Sequence, residues 1–134
     1  MPIRVLLATT SDVMSDAVRL AFREEPTVTL LGRAVNFRQT MQLTSELKPT
    51  VVLLDLHLPE KLDFMPAFVK SQLRSVQLLT LSVVTDAEAR GLAASYGALA
   101  LLDSVKLYVE LVPRIVESDR RRHAAPTRGR PHDI

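Results

Sequence analysis

The chain has 134 residues and a formal net charge of +2, from 17 Lys and Arg against 15 Asp and Glu. That length suits one domain with a real core. It has no cysteine, which excludes disulfides and thiolate chemistry, and no tryptophan, which argues against stacking on bases or a flavin ring.

His57, His123 and His132 are too scattered for a histidine-rich metal site. No apolar run reaches the length of a membrane span. The opening MPIRVLLATTSD lacks a small-residue cleavage pattern, so it reads as a strand and not a signal peptide. A cytoplasmic location is expected. The charge is uneven: residues 1–118 carry 12 Lys/Arg against 13 Asp/Glu, and residues 119–134 carry 5 against 2.

Taken in order, Ile3 to Ala8 is an apolar run and the expected first strand. Ser11 or Thr10 should cap a helix with Asp12 in its first turn. Val13, Ala17, Leu20 and Ala21 recur at helical spacing, and Pro26 ends that helix near Glu25. Val28 to Ala34 reads as a second strand, weakened by Gly32. Asn36 should cap a second helix with Phe37, Thr40, Leu43, Thr44 and Leu47 on one face.

Val51 to Asp55 is a short unbroken apolar run ending in an acid. Such a run reads as a strand buried on both faces of a parallel sheet. Leu62 to Arg74 follows as a helix, with Leu62, Met65, Phe68, Val69 and Leu73 inward and Pro66 in the first turn. Val76 to Ser82 is the fourth strand. Thr85 to Glu88 is a capping-box pattern for a fourth helix that Gly97 ends. Ala98 to Leu102 is the fifth strand. Ser104 should cap a last helix with Leu107, Leu111, Val112 and Ile115 inward, and Pro113 should kink or end its first part.

Five strand–helix units imply an α/β fold: a parallel sheet, doubly wound, with helices on both faces. Residues 1–118 form this domain. Residues 119–134 lack periodicity and are rich in Arg, Pro and Gly, so a disordered basic tail is expected. The Arg120-Arg121-Arg122 run has no DNA-reading helix behind it, so nucleic acid is not an expected partner.

In open parallel sheets, sites form beyond the carboxyl ends of the strands. The residues there are Thr9 and Thr10, Asp55, Ser82, and Asp103 with Ser104. The stretches IRVLLA, PTVVLLDLHLP, LLTLSVVTDAEA and GALALLDS together resemble the receiver domain of bacterial two-component response regulators, over about residues 2–118. The resemblance implies a CheY-like, flavodoxin-like sheet of order 2-1-3-4-5. It implies a phosphoacceptor at Asp55, a phosphoryl-contacting switch hydroxyl at Ser82, and a histidine kinase or other signalling protein as partner. It also implies an output face, and a homodimer surface, formed by helix four, strand five and helix five.

The same resemblance exposes departures. The family's paired Mg²⁺-holding acids are Thr9 and Thr10 here. Its phosphoryl-binding lysine is Ser104, with Lys106 two residues on, and its aromatic switch is Leu101. Asp55 alone is a weak Mg²⁺ ligand. Asp12 and Glu60 are the nearest other acids in sequence. Val83 stands where the family has a small residue, and His57 reads as a solvated loop residue. No further cofactor is implied, and no catalytic set appears. The expectation is therefore an atypical, degenerate receiver in phosphorelay signalling, acting by protein–protein contact, with phosphorylation at Asp55 poorly supported. A phosphorylation-independent pseudo-receiver is the alternative. A flavin or phosphate-ligand binder using Thr9, Thr10 and Ser82 is the third reading, weakened by the absence of glycine from that loop.

Overall fold

The computed structural model describes residues 2–59 and 66–129, with the backbone alone at residues 66 and 122–129. Five parallel strands, β1 (Ile3–Ala8), β2 (Val28–Ala34), β3 (Val51–Asp55), β4 (Gln77–Ser82) and β5 (Ala100–Asp103), form one sheet of order β2-β1-β3-β4-β5. The order expected from the resemblance is the order found. The helices are α1 (Asp12–Arg23), α2 (Phe37–Leu47), α3 (Pro66–Gln72), α4 (Ala87–Ser95) and α5 (Leu107–Gly129), with a 3-10 turn at Ser104–Lys106. No helix among the described residues is long and apolar enough to cross a membrane.

The alternation of strand side chains divides the core into two layers. Val5, Leu7, Val51 and Leu53 pack with Val18 and Phe22 of α1 and Leu111 and Ile115 of α5. Leu6, Ala8, Val52 and Leu54 pack on the other face with Phe37 of α2, Val69 of α3 and Tyr96 after α4. β3 is central and buried throughout, which is why its sequence is apolar without alternation.

The β1–β2 ladder contains a slip. Val5 pairs with Leu30, but Leu6 pairs with Gly32, so Leu31 has no partner. The extra residue resets the alternation of β2. Val28 and Leu30 then face the α1 layer and Ala34 the α2 layer. Arg33, paired with Leu7, is turned toward α1.

The caps explain several boundaries. Ser11 accepts from the Met14 N–H, Asn36 from the Gln39 N–H, and Asp86 from the Ala89 N–H. Ser11 and Asn36 are the expected caps. At α4 the cap is Asp86, one residue after the start of the capping-box pattern. The tight end of α2 places Lys48 in the left-handed region, with φ 49°. Arg4 offsets this by donating to the Lys48 and Leu47 carbonyls at 2.8 and 2.6 Å. Lys48→Gly should stabilise the domain by about 0.5–1 kcal/mol, since glycine enters this region freely. Urea unfolding with an unchanged slope checks it.

Four expectations are corrected. The inward face of α1 is Met14, Val18, Ala21 and Phe22, while Val13 and Leu20 are 81% and 47% exposed. Asp103, not Ser104, caps the chain after β5, accepting from the Val105 N–H. Pro113 does not end α5, because it lies on the solvent face, where water can serve the carbonyl it leaves unbonded. Phe68 of α3, expected to face inward, is 47% exposed. α5 itself runs past residue 118 to Gly129. Leu62, Met65 and Glu60 lie outside the described residues.

Candidate functional site

Asp55 closes β3 at the carboxyl edge of the sheet and is only 4% exposed. A carboxylate so placed needs donors. The Thr9 hydroxyl donates to Asp55 Oδ2 at 2.6 Å, and the His57 backbone N–H donates to Oδ1 at 2.9 Å. Both oxygens are therefore held by the chain itself, through charge-assisted bonds.

Thr9 is the first residue after β1 and is fully buried. Its N–H donates to the Ala34 carbonyl at 2.9 Å, and its Oγ1 accepts from the Ser11 N–H at 3.0 Å. One side chain thus joins β1, the start of α1 and the end of β3.

A residue that sequence reasoning missed secures the same loop. Arg33 Nε donates to the Thr9 carbonyl at 3.0 Å, and its Nη1 pairs with Asp12 Oδ1 at 3.0 Å. The available signal was a lone charge in an otherwise apolar strand. The β2 bulge that turns it toward α1 has no comparable signature.

The remaining expected residues are spread along the edge. Ser82 ends β4, is 2% exposed, and its hydroxyl accepts from the Val84 N–H at 3.1 Å, a local turn contact. Thr10 is exposed beside Thr9. Leu101 is half-buried on β5 opposite Thr80. Ser104 is half-buried in the 3-10 turn, and Lys106 is exposed at its end. Val83 is 59% exposed beside Ser82. His57 contributes its backbone, with its side chain exposed. The structure brings Thr9 and Asp55 into direct contact and gives Ser82 a partner in its own loop.

No protein-family model matches the chain. It is 36% identical over 107 residues to a protein named protein-glutamate methylesterase/protein-glutamine glutaminase 3 of Myxococcus xanthus, covering 75% of this chain and 29% of that one. It is 28% identical to a protein of the corresponding name from Agrobacterium fabrum, of which it covers 38%. The chain thus spans well under half the length of these curated relatives. The response regulator domain of Thermotoga maritima CheB matches 88% of the chain with a TM-score of 0.73, 19% sequence identity and 96% of its own length covered. The non-phosphorylated receiver domain of Escherichia coli RcsB matches 90% with a TM-score of 0.76, 12% identity and 95% of its own length covered. The chain folds as a response-regulator receiver domain.

The receiver fold implies a Mg²⁺ ion beside the acid that closes β3. Mg²⁺ demands near-octahedral oxygen coordination, with one or two carboxylates. Here one carboxylate is present, and the hydroxyl next to it points its hydrogen, not a lone pair, at Asp55. Asp12 is exposed and tied to Arg33. Among the described residues no group of three or more His, Cys, Asp or Glu is placed to hold a metal. These residues do not fit the ion. The acid at the end of β3 is held instead by hydrogen bonds from the Thr9 hydroxyl and the His57 backbone.

Proposed function

We propose that this receiver is a signalling module that works through protein–protein contact, with the Asp55 corner set by the chain's own hydrogen bonds and not by phosphoryl transfer. The observation that carries this reading is the 2.6 Å bond from Thr9 to Asp55. Phosphoryl transfer depends on positioning and on neutralising charge. At the positions where the family supplies two acids and a lysine, this chain has Thr9, Thr10 and Ser104. A phosphoryl dianion on Asp55 would displace the Thr9 bond and gain little in return.

The partner in this reading is a histidine kinase or another signalling protein, in the cytoplasm. The face made by α4, β5 and α5 is the candidate contact and homodimer surface. The role is regulatory, not catalytic. The methylesterase and glutaminase named for the two relatives are not assigned to this chain. A second reading keeps Asp55 as a phosphoacceptor, and it is favoured by the retention of both Asp55 and Ser82 at adjacent strand ends.

One experiment separates the two. The protein is incubated with Mg²⁺ and acetyl phosphate or beryllofluoride, then followed by intact mass and backbone NMR. We expect no adduct and no shift at Ser82 or along β5. A stable phosphoryl mass increment on Asp55 would overturn the proposal. In cells, Asp55→Asn should preserve signalling.

A further inference from the structure

Two clefts adjoin at the end of the sheet opposite Asp55. The first, about 460 Å³, lies between α3 and α4, and the second, about 220 Å³, lies between β5 and α5. They share Gln77, at the start of β4, and Leu99, just before β5. Leu99 is 61% exposed, a large apolar side chain standing between two concave walls.

The charge around them is mainly positive. Lys70 and Arg74 line the first cleft with no acid beside them. Arg114 and Arg121 line the second, where Glu117 is already paired with Arg121 at 3.2 Å. Lys70, Arg74 and Arg114 are exposed and have no ion pair among the described residues. The floor of the first cleft is apolar, with Leu73, Leu78 and the ring of Tyr96. Burial pushes the Tyr96 phenol above its ordinary value, so it stays neutral.

Gly97 has φ +83°, and a Cβ there would come 3.1 Å from Lys70 Cγ. The missing side chain lets the Lys70 stem lie against the end of α4, with its ammonium left to solvent.

We propose that this surface docks an acidic segment of a partner protein, with an apolar side chain of that segment seated at Leu99. The three unpaired cations, Lys70, Arg74 and Arg114, supply complementarity, and apolar contact at the centre supplies the anchor. Two clefts sharing a wall make a track longer than a small molecule needs. Their concavity suits a chain more than a lipid surface. The protein's own residues 119–134 carry 5 Lys/Arg against 2 Asp/Glu, so like charge disfavours that segment as the occupant.

The test uses the full chain and a fluorescein-labelled peptide of Glu and Asp around a central Leu-Phe pair. Saturable anisotropy is expected, weakening with salt, with backbone NMR shifts at Gln77, Gly97 and Leu99. Arg74→Glu combined with Arg114→Glu should weaken binding about tenfold or more. Both sites are exposed, so the urea midpoint should not move. Replacing the Leu-Phe pair by Ser-Ser should also weaken binding. The proposal is overturned by absent saturation, by shifts confined elsewhere, by a charge-reversed variant that binds equally well, or by a preference for phosphatidylserine vesicles over the peptide.

Discussion

Thr9→Asp should lose about 3 kcal/mol of stability in the presence of a chelator. Thr9 is fully buried and Asp55 is 4% exposed. The substitution removes the donor to Oδ2 and brings a second carboxylate against the first. Two desolvated like charges with no counter-ion belong among the more damaging point changes. The same substitution supplies an oxygen donor that Mg²⁺ needs. Adding Mg²⁺ should therefore restore stability, by about 2.7 kcal/mol at about a hundredfold excess over Kd. Thr9→Asp with Thr10→Asp should respond more steeply. Urea unfolding with and without Mg²⁺ measures both effects. An equal Mg²⁺ response in the unsubstituted protein would mean that its corner already binds the cation, and would overturn this prediction.

Phe37→Ala should cost about 4 kcal/mol. Phe37 opens α2 and is fully buried. Its ring lies 5.9 Å from that of Tyr96, tilted by 46°. The pair ties α2 to the end of α4 across the face of the sheet. Truncation leaves a ring-sized cavity between rigid elements, and such losses run to about 3–5 kcal/mol. Tyr96 also lines the cleft beside Lys70, so its ring resonances should move in the same variant. A loss below about 1 kcal/mol would mean that the layer closes over the gap, contrary to its packing.

The sequence reveals the strands well because their signal is local. An unbroken apolar run such as Val51 to Leu54 has one economical environment, the middle of a parallel sheet. Asn36 and Ser11 were legible as caps for the same reason: the bonding partner is three residues away.

The face of α1 was not legible. Val13-Ala17-Leu20 and Met14-Val18-Ala21 are overlapping stripes, and the choice between them depends on packing against α5. The Thr9–Asp55 bond spans 46 residues of chain. The resemblance places Thr9 where the family has an acid. It cannot show that the replacement turns its hydroxyl to Asp55. Arg33 was missed because its direction depends on an irregularity in an edge strand. Pro113 was read as a helix breaker because burial was unknown, and on a solvated face it breaks less.

That irregularity also bears on how the sequence can change length. Adding or removing a residue inside a strand usually reverses every side chain beyond it. In β2 the unpaired Leu31 is a spare position. Without it, Leu30 would still face Val5, Gly32 would still face Leu6, and Arg33 would still face Leu7. The deletion would convert a bulged ladder into a regular one and leave every later side chain on its present face. An interior deletion in β2 is thus close to neutral in geometry, whereas the same event in β3 would turn Asp55 away from Thr9. A chain one residue shorter here would still place the same guanidinium against Asp12.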